Sequence, residues 1–68
     1  SCGYFSELIE SACEYSFNKL GANVVSAYLP RKRSYLSRSL LRIGFEPEGV
    51  LKSYDKDGED VLLYSKMR

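Results

Sequence analysis

These 68 residues predict an α+β domain of order αβαββ, with two helices against a three-stranded mixed sheet. Three observations carry that reading. Apolar residues recur at three- and four-residue spacing from Tyr4 to Leu20. An apolar, β-branched run follows at 23–29 and is closed by Pro30. In the last third, Asp57-Gly58 separates two strand-like runs, the punctuation of a hairpin.

The first helix is expected over 4–20. Tyr4, Phe5, Leu8, Ile9, Ala12, Tyr15 (or Ser16) and Leu20 form its apolar stripe, with Glu7, Glu10 and Glu14 on the other face. Cys13 falls at the edge of the stripe, as partly buried packing. Lys19 suits the negative end of the helix dipole, and Gly21 suits the left-handed residue that closes a helix. The strand at 23–29 is apolar on both faces apart from Ser26, which suits a central strand covered by a helix. Ser34 offers an N-cap for a second helix through Ile43, and Gly44 stops it. Phe45 is an aromatic on a short connector and is expected to plug into the core. Strands over 49–55 and 59–66, joined by Lys56-Asp57-Gly58, complete the order. The hairpin can cover one edge of the 23–29 strand. The other edge needs a partner from elsewhere, because unpaired strand edges invite association.

Length and composition set limits. Residues 1–68 make a single domain, and a domain this small buries a modest core. A net charge of +1 gives no bulk attraction to nucleic acid or membrane. No apolar run approaches the roughly 20 residues that span a bilayer. The first residues show no basic segment followed by an apolar one, so no signal peptide is expected and the chain is placed in the cytoplasm. Cys2 and Cys13 have no metal-ligand spacing and are read as reduced thiols; Cys2 has no partner base that would make it a nucleophile. With no histidine, the chain itself supplies no Ser-His or Cys-His nucleophile.

Two charged runs have rival readings. Pro30-Arg31-Lys32-Arg33-Ser34-Tyr35-Leu36-Ser37-Arg38 is a basic cluster around an aromatic. It can be a solvated helix start, a site for phosphate groups held by charge-assisted hydrogen bonds, or a nucleic-acid patch. Cations at a helix start oppose the dipole, so an anionic ligand there would relieve strain. Asp55-Lys56-Asp57-Gly58-Glu59-Asp60 superficially matches a calcium loop, but Tyr64 stands where such a loop needs a bidentate acid, and a hairpin turn already explains the run. The six tyrosines are mainly aromatic bulk, with Tyr28 and Tyr35 the two that suit a ligand groove.

Several segments also match a known pattern. Ser1-Cys2-Gly3-Tyr4 stands where a loop Arg/Gln-x-x-Gly-x-Gly/Ala leads into a helix, with Gly3 at the last glycine and Ser1 at the first. Leu20-Gly21 before the strand, Ser26-Ala27-Tyr28-Leu29-Pro30 at its end, Gly44-Phe45-Glu46-Pro47-Glu48-Gly49 and the closing hairpin continue the match. Together they resemble the C-terminal part of the GNAT acyltransferases, in particular the RimJ/RimL-type N-acetyltransferases. The chain is then a partial GNAT domain whose N-terminal strands are not in this sequence.

The resemblance implies acetyl-coenzyme A as co-substrate. It implies a primary amine as acceptor, often a protein N-terminus. Gly3, Cys2 and Tyr4 would lie against the pyrophosphate, Tyr28 and Leu29 on the strand that receives the pantetheine arm, and Lys32, Arg33 and Arg38 at the phosphates. The family's asparagine and serine after the proline are replaced: Lys32 or Arg33 takes the asparagine position, according to the register counted, and Leu36 the serine position, with Ser37 one residue away. Leu40 stands where many GNAT enzymes carry an acid tyrosine. No general base is assigned. The alternative is a non-catalytic αβαββ module, or a degenerate half, that pairs with another chain or a second copy through the open strand edge. A nucleic-acid-binding domain is the third reading, and the near-neutral charge argues against it.

Overall fold

The computed structural model describes residues 2–68, the side chain of Cys2 excepted. Helix α1 (Cys2–Asn18) leads to strand β1 (Val24–Pro30), a 3-10 segment (Arg31–Leu36), helix α2 (Ser37–Arg42) and strands β2 (Glu46–Leu51) and β3 (Val61–Met67). This is the expected αβαββ order. The strand order in space is β1-β3-β2, and both pairings are antiparallel. The sheet is therefore antiparallel throughout, not mixed. β1 and β2 run the same way, but β3 inserts between them and takes the hydrogen bonds of both.

Helix α1 buries a narrower stripe than its periodicity suggests. Phe5, Ile9, Cys13 and Phe17, each four residues apart, face the sheet. Tyr4, Leu8, Tyr15 and Leu20 are exposed, and Cys13 is the buried centre of the helix face, not its edge. Four-residue steps drift about 40° around a helix, so one row can meet the sheet while its neighbours turn to solvent. Gly21 sits at φ +70°, the left-handed residue that ends the helix, and the Ala22 N–H reaches back to the Ser16 carbonyl at 2.9 Å.

β1 alternates, with Val25, Ala27 and Leu29 turned to the helices and Val24, Ser26 and Tyr28 exposed. It is an edge strand among the described residues, and the edge facing away from β3 carries no strand. The second helix begins later than Ser34 would place it. Residues 31–36 wind as a 3-10 segment, and Arg33 breaks it at φ −109° and ψ 22°. No side chain caps either turn, and the Ser37 N–H donates to the Ser34 carbonyl, a three-residue bond. α2 is thus a single short turn and a half. Its end is closed from β3: Lys66 Nζ donates to the Ile43 carbonyl at 2.6 Å, a cation at a helix C-terminus. Arg68 does the same for α1, donating to the carbonyls of Phe17 and Ala22.

β2 starts at Glu46 and stops at Leu51, earlier at both ends than the expected 49–55. Pro47 is tolerated because β2 is an edge strand, and a register shift follows between Pro47 and Gly49. The strands do not reach the Asp57-Gly58 turn, because carboxylates take the amides a ladder would use. Asp55 Oδ1 accepts from the Asp57 and Glu59 N–H groups at 2.9 and 2.8 Å, and Asp60 Oδ1 accepts from the Ser53 N–H at 3.0 Å. Residues 52–60 form an ordered loop, with Ser53 at φ +46°. The core lies between the helices and one face of the sheet: Cys13, Leu29, Leu40, Phe45 and Tyr64, with Leu40 at 1% exposure and Phe45 at 2%.

Candidate functional site

The connector 19–23 turns the chain back, so the N-terminus of α1 and the C-terminal end of β1 share one end of the sheet. The basic segment follows directly from β1. A cleft of about 310 Å³ opens beside this end, between α1 and β1. Its walls are apolar, formed by Phe5, Ile9 and Cys13 of α1, Ala27 and Leu29 of β1, and Leu40 of α2. Burial raises the Cys13 thiol, which keeps it neutral and apolar in character. The cleft is thus an apolar trough bordered by an unpaired strand edge, with cations at one end.

The predicted residues distribute around it as follows. Gly3 and Tyr4 lie inside the first turn of α1, not in a loop before it, since the helix already begins at Cys2. First-turn amides have no acceptor within a helix, and no acidic side chain occupies that turn, so the position suits an anion. Ser1 and the Cys2 side chain lie outside the described residues. Leu29 is buried in the core and forms part of the cleft wall. Tyr28 is exposed on the opposite face of β1, and its ring stacks on Tyr54, centroids 6.5 Å apart. Tyr28 nonetheless borders the cleft along the β1 edge. Lys32, Arg33 and Arg38 are exposed. Lys32 Nζ is 3.9 Å from Asp57 Oδ2, whereas Arg33 and Arg38 have no ion-pair partner among the described residues.

The sequence reading missed Asp60, which organises this end. Its Oδ2 lies 3.6 Å from Arg31 Nε and 3.5 Å from Lys52 Nζ. Its carbonyl accepts from the Arg31 N–H at 3.0 Å. The Ser53 N–H on its carboxylate, helped by Lys52 and Arg31, holds the group below the ordinary carboxylate value despite some desolvation. Inside an acidic run, nothing in the one-dimensional pattern sets this aspartate apart from its neighbours.

A depressed folded value means that Asp60 favours the folded loop above the unfolded value, 3.8, and that this contribution is lost as pH falls through the lower folded value. The protection factor of the Ser53 amide, its exchange rate by NMR relative to the intrinsic rate at the same pH, is therefore expected to fall below about pH 4. In Asp60→Ala it should be low and independent of pH. Matching profiles in the two proteins would refute the role of the carboxylate.

No family model matches this chain. A curated relative, the uncharacterized N-acetyltransferase YoaA of Bacillus subtilis, is 36% identical over 52 residues, which are 76% of this chain and 29% of that protein. Among solved structures, a variant of the spermidine N-acetyltransferase SpeG from Vibrio cholerae superposes on 96% of this chain with a TM-score of 0.85 at 22% identity, using 40% of its own length. A GNAT-family acetyltransferase from Bacillus anthracis superposes on 96% with a TM-score of 0.80 at 24% identity, using 41% of its length. No helix among the described residues is long and apolar enough to cross a membrane. The chain spans well under half of each of these proteins, and over that span it has the fold of the GNAT N-acetyltransferases, as part of their domain.

Proposed function

We propose that residues 1–68 are the C-terminal part of a RimJ/RimL-type GNAT enzyme of the cytoplasm, which moves the acetyl group of acetyl-coenzyme A to a primary amine. The observation that carries this reading is the apolar cleft beside the open β1 edge, with the first turn of α1 and the unpaired Arg33 and Arg38 at one end. The pantetheine arm, a chain of amides and methylenes, fits an unpaired strand edge over an apolar wall. The pyrophosphate suits the first-turn amides around Gly3, with Cys2 and Tyr4 as its neighbours. Lys32, Arg33 and Arg38 hold the phosphates. In the reaction the amine nitrogen attacks the thioester carbonyl carbon, a tetrahedral intermediate forms, the C–S bond breaks, and the departing thiolate takes up a proton. The base that frees the amine comes from outside this segment.

The acceptor is a protein N-terminus on the RimJ/RimL reading. The names of the spermidine enzymes support a polyamine instead, and initial rates with a short peptide and with spermidine separate the two. The enzyme reading has a strand from an N-terminal half pair with one end of the open β1 edge and splay away from the other, which leaves that end to the pantetheine arm. A second reading, a non-catalytic module that pairs through that edge with another chain or a second copy, is favoured by Leu36 and Leu40 at positions where the family carries polar groups.

Isothermal titration of the full-length protein with acetyl-coenzyme A is expected to give one-site binding. The double variant Arg33→Ala/Arg38→Ala should bind about tenfold more weakly or worse, since each lost charge-assisted contact is worth more than a neutral one. No binding at millimolar ligand would overturn the enzyme reading and leave the pairing module.

A further inference from the structure

The three ion pairs among the described residues all run to one loop. Loop 52–60 folds onto the basic segment, and its two outward aspartates do different work there. Asp60 is built in: its carboxylate takes the Ser53 N–H, its carbonyl takes the Arg31 N–H, and two cations flank it. Asp57 stands beside Gly58 in the turn. Its carboxylate has a single charged neighbour, Lys32, at 3.9 Å, and both side chains are more than half exposed. Gly58 at φ +77° and the bonds to Asp55 hold the turn in place whether or not Lys32 is engaged.

We propose that Asp57 is a built-in anionic competitor for Lys32, an affinity-determining residue that a phosphate-bearing ligand must displace. This rests on the reading that Lys32 serves phosphate groups. A compact phosphate presents more charge and more acceptor oxygens to an ammonium than one carboxylate at 3.9 Å does, so it wins the exchange. Lys32 then swings to the ligand while the loop stays anchored through Asp60. The arrangement lowers affinity for weakly charged ligands and leaves the basic segment partly neutralised when no ligand is bound. That keeps a cluster of cations from attracting unrelated polyanions.

The size of the effect follows from the contact. An exposed pair of this length changes binding by about two- to fivefold. The test titrates the full-length protein, its Asp57→Asn variant and Asp57→Asn/Lys32→Gln with two probes, acetyl-coenzyme A and inorganic pyrophosphate. Asp57→Asn is expected to bind both about two- to fivefold more tightly at low salt, and the gain should vanish in the double variant. Equal affinities of the native protein and Asp57→Asn for both probes overturn the proposal, while acetyl-coenzyme A binding would still support the enzyme reading. A gain with pyrophosphate but no binding of acetyl-coenzyme A removes the enzyme reading and supports the competitor. A gain that persists without Lys32 overturns it, because the aspartate would then be acting as general negative charge. Binding of neither probe overturns both.

Discussion

Phe45→Ala is expected to cost about 3–5 kcal/mol of folding stability, the usual range for emptying a buried aromatic position. The ring is 2% exposed and packs in the cluster of Cys13, Leu29, Leu40 and Tyr64, so it touches both helices' layer and the sheet. It comes from a connector, not from a regular element, and its N–H is fixed to the Leu40 carbonyl at 2.9 Å. The backbone is therefore held, and the core can collapse only partly into the vacated space. In a small domain each kcal/mol moves the melting point by roughly 4–8 °C, so the thermal midpoint should fall by more than about 10 °C. Tyr35→Ala, at an exposed aromatic, is the control and should stay within about 0.5 kcal/mol. A Phe45→Ala midpoint within about 2 °C of the native one would show that the ring does not brace the core.

Gly44→Val carries the second large effect, and two separable causes produce it. Gly44 has φ +103°, a backbone region that side chains rarely adopt, and holding valine there costs about 1–3 kcal/mol. A Cβ at this position would also lie 3.4 Å from Cε and Nζ of Lys66, and valine adds two methyl groups beyond it. Lys66 would then leave the Ile43 carbonyl, and α2 would lose the cation that closes it. Chemical denaturation of Gly44→Val, Lys66→Ala and the double variant tells the causes apart. The backbone strain persists in the double variant, whereas the steric part disappears. Gly49→Ala is the internal control. That glycine lies outside the left-handed region and has open space around its missing Cβ, so its change should be small. Equal costs at Gly44 and Gly49 would contradict this account.

Much of the fold is legible in the sequence because its signals are local. The four-residue rows of α1, the stop at Gly21, the strand before Pro30 and the inward turn of Phe45 each follow from side-chain periodicity or a backbone preference. What escapes is what depends on neighbours distant in the chain. The stripe of α1 is narrower than its apolar pattern because only the row of Phe5, Ile9, Cys13 and Phe17 finds a sheet beneath it. The β2–β3 strands end early because Asp55 and Asp60 capture amides, a competition between side chain and ladder that propensity does not encode. The site divides the same way. Arg33 and Arg38 stand out as cations in the sequence and have no ion-pair partner among the described residues, but the neutralisation of Arg31 and Lys32 by a loop more than twenty residues away is a tertiary fact. Tyr28 and Leu29 are adjacent in the chain and face opposite ways, so strand alternation alone already separates their roles.

β3 has one further consequence. It is the middle of the sheet and comes after both of its partner strands in the chain, and it also carries Lys66, which closes α2. Without residues 61–67, β1 and β2 have no strand between them to bond to, so the sheet of this segment closes only when β3 enters. A form of the protein truncated before Val61 should accordingly be cut by protease far faster than one that includes Met67.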